Sequence, residues 1–136
     1  MAKELLVRDY LSPQMINSGG KLIKKLDEQN AEVKSALWFF MPETRTWTLL
    51  IASPLVSENG PKQFYKKIID ANRKSKLSER VISINNISAT SPSDPLIQII
   101  NTMINTDKEA INGIRFSRNT INGVFIEDCH IYRSSR

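Results

Sequence analysis

The chain has 136 residues, 40% hydrophobic and 24% charged, with a formal net charge of +5 at pH 7. These proportions exclude a disordered or fibrous chain and fit a single globular domain over residues 1–136, able to bury about two-thirds of its unfolded surface. No apolar run approaches the roughly 20 residues of a membrane span, and Met1–Asp9 carries charge on both sides of three apolar residues where a signal peptide would have its apolar core.

Residues 1–11 fit either a short strand or a loose helical turn around Leu5, Leu6, Val7, Tyr10 and Leu11. Ser12-Pro13 reads as an N-cap followed by proline at the first helical position. From there Met15, Gly19, Leu22 and Leu26 recur at helical spacing, with Lys21, Lys24, Lys25, Asp27 and Glu28 on the other face and Asn30 as a stop. Gly19-Gly20 costs about 1 kcal/mol per glycine inside a helix. Either the backbone passes close to a sheet there, or the helix starts after the pair. Ala36–Met41 and Trp47–Ala52 read as two strands joined by a tight loop at Pro42–Thr46. Leu37, Phe39 and Met41 fall on one face of the first strand and Ala36, Trp38 and Phe40 on the other, so it needs cover on both sides.

Ser53–Pro61 is a loop ending in a second helix start. On the helix that follows, Phe64, Tyr65, Ile68, Ile69 and Ala71 gather on one side. Arg80–Ile84 reads as a third strand. Ser91–Pro95 is a doubled cap, and Leu96, Ile97, Ile99, Ile100, Met103 and Ile104 make a third amphipathic helix. Asn122-Gly123 is a strong hairpin signal, because a type I′ turn needs positive φ at both central positions. It predicts strands near 114–121 and 124–132, with residues 134–136 as a frayed end; Asn112-Gly113 is either a second such turn or only the loop that enters the strand.

The order helix-β-β-helix-β-helix-β-β implies a mixed α/β (α+β) fold, one mixed sheet of about five strands with helices packed on it. The helices on either side of the third strand read as crossovers between parallel neighbours. Helices on both faces would account for the doubly apolar first strand. Helices on one face alone would leave Trp38, Phe40 or Trp47 for a partner subunit, and the chain would be a component of a homo- or hetero-oligomer.

The net charge is unevenly placed. Lys62, Lys66, Lys67, Arg73, Lys74, Lys76 and Arg80 lie in one segment with only Asp70 and Glu79, and the rest of the chain holds twelve residues of each sign. Lys62, Lys66 and Arg73 form a stripe opposite the apolar side of the second helix, flanked by Lys67 and Lys74 and continued by Lys76 and Arg80. Such a stripe fits nucleic-acid phosphates or an acidic protein; it is also what a solvated helix face looks like. Tyr65 falls on the apolar side, so contacts would go to phosphate and not to stacked bases.

Pairing across Asn122-Gly123 sets Ile121 opposite Val124, Asn119 opposite Ile126, Ser117 opposite Asp128 and Arg115 opposite His130. Alternation then puts Arg115, Ser117, Asn119, Asp128, His130 and Tyr132 on one face. Ile114, Phe116, Phe125, Cys129 and Ile131 take the other, with Arg118 facing Glu127. The polar face is either the wet side of a hairpin or a hydrolase or nuclease site in which Asp128 orients His130 as a general base and Arg115 holds an anion. Cys129 and His130 are adjacent and point to opposite faces, so they are no nucleophile–base pair. One cysteine and one histidine exclude an intramolecular disulfide and the usual zinc sites, there is no phosphate-cradling glycine loop, and no metal or cofactor is expected. The lone cysteine fits a reduced, cytoplasmic setting.

Overall fold

The computed structural model describes residues 2–136. The chain runs β1 (Lys3–Glu4), α1 (Pro13–Glu28), β2 (Ser35–Met41), β3 (Thr46–Ala52), α2 (Pro54–Asn59) and α3 (Pro61–Arg73). It continues through β4 (Arg80–Val81), a 3₁₀ turn at Ile84–Asn86, β5 (Ile87–Thr90), α4 (Pro95–Met103), β6 (Ile114–Ile121) and β7 (Val124–Ser134). Five strands form one mixed sheet in the order β5-β3-β2-β7-β6, in which β3 and β5 are parallel and the other neighbours antiparallel.

Helices cover both faces of this sheet, which is why β2 is buried along almost its whole length. On one face α1 and α3 pack Leu22, Ile23, Leu26, Phe64 and Ile68 against Ala36, Trp38, Leu49 and Ile51. On the other, α4 brings Ile97 and Ile100 to Leu37, Phe39, Cys129 and Ile131. Each helix starts at a capping side chain or a proline. The Ser12 hydroxyl accepts from Met15 N at 3.2 Å, Ser53 accepts from Leu55 N at 3.1 Å, and Asp94 accepts from Leu96 N at 2.9 Å. Asn30 closes α1 in the left-handed region, with φ +56°.

The glycine pair lies inside α1, and the close approach to the sheet is real. Trp38 Nε1 donates to the Met15 carbonyl at 3.1 Å and to the Tyr132 hydroxyl at 2.9 Å, and that hydroxyl donates to the Ile16 carbonyl at 2.6 Å. A Cβ at Gly19 would lie 2.9 Å from Trp38 Nε1 and closer still to the Tyr132 oxygen. Only glycine lets α1 sit on this pair. Tyr132 itself occupies a bulge: Ala36 pairs with Arg133 and Leu37 with Ile131, so one residue of β7 stands unopposed. Next to it the 1%-exposed Arg133 side chain grips both oxygens of Asp27 at 2.9 and 2.8 Å and donates to the carbonyls of Ala110 and Val33.

Four expectations are corrected. The third strand of the sheet is not Arg80–Ile84 but β5; only Arg80–Val81 is extended there, and it pairs with β1 in a separate two-stranded sheet that settles the ambiguous amino-terminal segment as a short strand. The second crossover does not join neighbours: α4 carries the chain from the β5 edge to β6 at the opposite edge. The loop after Ser53 contains a helix, α2. Residues 134–136 are not frayed. Ser134 donates to the Ile104 carbonyl at 2.7 Å and accepts from Asn101 at 2.7 Å, Ser135 N donates to the Lys34 carbonyl at 2.9 Å, and Arg136 donates to the Asn101 carbonyl at 3.1 Å. No helix among the described residues is long and apolar enough to cross a membrane.

Candidate functional site

Two surfaces carry the residues singled out from the sequence. The first is α3. Gly60, at φ +87°, turns the chain into Pro61, and the helix buries Phe64, Ile68 and Ala71, a spacing that keeps one side against the sheet. Lys62, Lys66 and Arg73 are thereby turned outward and exposed; Lys67 is half-buried beside them and Lys74 closes the helix. The only ion pair that engages these five among the described residues is Arg73–Asp70, 3.9 Å apart with both side chains mostly exposed, a geometry that holds little charge in place. Lys76 and Arg80 follow on the connection that leaves the helix, both exposed.

That connection is tied down. Lys25 of α1 donates to Ser75 Oγ at 2.6 Å and to Glu79 at 2.9 Å, while the other Glu79 oxygen accepts from Lys76 N at 2.9 Å. The backbone amide of Lys76, and after it Lys25, hold the Glu79 carboxyl below its ordinary range. Glu79 therefore faces inward to Lys25 and leaves the basic side chains of the connection on the surface.

The second surface is the C-terminal hairpin. Its register is the one the Asn122-Gly123 turn dictates, with Arg115 opposite His130 and Ser117 opposite Asp128. The polar residues have other duties than the triad-like roles expected of them. Arg115 Nε and Nη2 each donate to an oxygen of Asp128 at 2.6 Å, and this fork raises the pKa of the guanidinium further. No hydrogen bond joins Asp128 to His130 among the described residues. His130 is 7% exposed and stands edge-on to Tyr132, with ring centroids 5.0 Å apart; Gly113 covers its Cε1 and its Nε2 has no partner. Burial, and after it the charge of Arg115, lower its pKa below the ordinary value. Asp128 thus orients Arg115, not the histidine. Cys129 points to the opposite face, where burial pushes its thiol up to about 12.

Alternation along the hairpin breaks at one residue. Arg118 has φ +50°, and beyond it the faces exchange: Ile126 and Ile121 enter the core with Cys129 and Ile131, while Phe125, placed with the buried set by strict alternation, is 53% exposed. Phe125 and Glu127 consequently join Arg115 and Asp128 at one cleft of about 680 Å³ between the hairpin and the segment Asp9–Leu11. Arg45 and Arg118 also line it, and its floor is Phe40 and Trp47, whose rings meet edge to face at 5.3 Å. The Arg45 guanidinium stands 5.4 Å from the Phe40 ring centroid and that of Arg115 5.8 Å from the Trp47 ring, distances at which cations and aromatic faces attract. Sequence reasoning passed over Arg45, Arg118, Tyr10 and Phe125. The first sits in a turn, and strict alternation puts the last on the opposite face, so the residue pattern marks neither.

The aromatics of the central hairpin, which helices on one face alone would leave exposed, are buried. Trp38, Phe40 and Trp47 are 0%, 4% and 2% exposed: Trp38 lies against α1, and Phe40 and Trp47 lie at the bottom of the cleft, where Trp47 Nε1 donates to the Asp9 carbonyl at 3.1 Å. Comparison with protein-family models, curated proteins and solved structures gives no match for this chain.

Proposed function

We propose that this protein is a cytoplasmic binding module that holds nucleic-acid phosphates through α3 and the connection that leaves it. The observation that supports this reading most directly is the outward stripe of Lys62, Lys66 and Arg73, with Lys67 and Lys74 beside it, which carries unneutralised charge while the remainder of the chain is electrically balanced. Lys62 and Arg73 are eleven residues apart on one helix, or about 16 Å along its axis, long enough to meet several consecutive phosphates. Each phosphate neutralised releases condensed counterions, so binding is driven largely by the entropy of ions returning to bulk solution. The stripe is lysine-rich and without stacking side chains, which favours contact with the backbone and weak dependence on base sequence.

Fluorescence anisotropy with labelled single- and double-stranded oligonucleotides across ionic strength tests the proposal. Five contacts give a slope of log affinity against log salt of about −4.5 on duplex. Lys66→Glu/Arg73→Glu removes two of them, and the slope should shrink by about 1.8 units with at least a tenfold loss of affinity at low salt. An affinity that the double substitution leaves intact, or no binding at low salt, overturns the reading. Retained capture of a polyglutamate chain without oligonucleotide binding would replace nucleic acid by an acidic protein.

A further inference from the structure

The basic helix is not isolated from the hairpin cleft. Arg80, at the end of the connection after α3, lines a surface depression together with Lys3 and Arg8 of the amino-terminal segment. From Arg8 the same segment continues to Tyr10, whose ring centroid lies 5.8 Å from the Arg8 guanidinium, and Tyr10 is one wall of the cleft that holds Arg45, Arg115, Arg118 and Phe125. Cationic side chains therefore continue from α3 along residues 3–10 and end where the aromatics begin. Glu4 is the single carboxylate lining the depression.

The cleft differs from the helix in what it offers. Tyr10 and Phe125 are 56% and 53% exposed, large apolar rings that folding has left in water at one site. Arg115 is committed to Asp128, while Arg45 and Arg118 have no ion-pair partner among the described residues. Both of these arginines sit in the left-handed region, at φ +53° and +50°, a conformation that costs a side-chain-bearing residue energy and that glycine would take freely. Asp9 and Glu127 complete the rim and bring the cleft's formal charge to zero, so it is no simple phosphate trap. Guanidiniums for phosphate, exposed rings for base faces and carboxylates that accept from exocyclic amino groups together describe a nucleotide of an unpaired strand. A duplex presents no base face to such rings. The volume, about 680 Å³, lies within the ~300–1,000 Å³ of sites that hold small organic groups.

We infer that the hairpin cleft receives unpaired bases of a single nucleic-acid strand whose phosphates run back along Arg8, Lys3 and Arg80 to α3, with Tyr10 and Phe125 as the stacking surfaces. The inference rests on the phosphate-binding reading of α3 and narrows it: the preferred ligand is single-stranded.

The test uses the full chain, a labelled mixed-sequence single strand of about 16 nucleotides and the same strand annealed to its complement. Tyr10→Ala/Phe125→Ala should lose about 30-fold or more of affinity for the single strand, leave duplex affinity as in the wild type, and keep the same salt slope, since no charge is removed. Both rings are more than half exposed, so the fold should survive, which thermal unfolding verifies. Phe125→Trp should retain affinity, and its emission should be quenched when the single strand is added but not when the duplex is. Wild-type single-strand binding in the double variant, while Lys66→Glu/Arg73→Glu loses both ligands, overturns the cleft and leaves the helix reading intact. Equal weakening on single strand and duplex also overturns it. If the wild type binds neither ligand at low salt, the helix reading falls and the cleft with it.

Discussion

Two adjacent glycines in α1 should respond to the same substitution with opposite sign. Alanine in a helix interior is better than glycine by about 1 kcal/mol, so propensity alone predicts a gain at both Gly19 and Gly20. At Gly20 the new Cβ would stand 3.5 Å from Ile111 Cγ2 and 3.7 Å from Tyr132 Cε1, ordinary contact distances, and the gain should be realised. At Gly19 it would collide with the Tyr132 hydroxyl and come within 2.9 Å of Trp38 Nε1, and both rings are held in the core at 2% and 0% exposure. To make room, the helix must lift or the Trp38–Met15 and Tyr132–Ile16 hydrogen bonds must break, each costing about 1–3 kcal/mol when its groups stay buried. Set against the propensity gain, Gly19→Ala should destabilise by about 2–4 kcal/mol and Gly20→Ala should stabilise by about 0.5–1 kcal/mol. With an unfolding entropy of about 2.1 cal/mol/K per residue, each kcal/mol moves the midpoint of this chain by about 3.5 °C. Thermal or urea unfolding of the two variants beside the wild type decides the matter. A neutral or stabilised Gly19→Ala would refute the close packing of α1 on the Trp38–Tyr132 pair.

Two more outcomes follow from buried polar side chains. Arg133→Met should cost about 3–5 kcal/mol in urea unfolding, since it strands the carbonyls of Val33 and Ala110 and frees Asp27; Arg133→Lys should recover little, because an ammonium lacks the two-pronged fork. A loss below 1 kcal/mol would refute this. His130, with its pKa lowered on folding, contributes stability that is complete above its ordinary value of 6.5 and is lost as pH falls below it toward the folded value. The slope reaches at most about 1.4 kcal/mol per pH unit, and it should be absent from His130→Leu; parallel pH profiles for the two proteins would refute it.

Local chemistry made much of this fold legible. The Asn122-Gly123 turn fixed the hairpin register, Ser12-Pro13 placed the start of α1, and the apolar residues on both parities of β2 required helices on both sides of the sheet. The features that escaped are those decided by docking. Ile87–Thr90 is too short and too polar to announce itself, and becomes a strand because β3 offers it a parallel edge. Arg118 exchanges the faces of the hairpin through a positive φ that arginine does not advertise, and this hid Phe125 from the candidate site. Asp27 reads as one more charge on the outer face of α1, and only the tertiary fold, 106 residues later in sequence, delivers Arg133 to it. For α3, in contrast, helical spacing alone turned Lys62, Lys66 and Arg73 outward, where the structure has them.

The strand order has a consequence for how the chain reaches this state. β2 and β3 are joined by a tight turn and can zip within microseconds, but the other side of β2 waits for β7, and the bond that locks them, Trp38 to Tyr132, spans 94 residues. Until that loop closes, the most apolar strand of the protein carries an open row of amide and carbonyl groups. Such an edge is the template on which chains pair with one another, so folding of this protein should be a race between β7 and a second molecule, with yield falling as concentration rises.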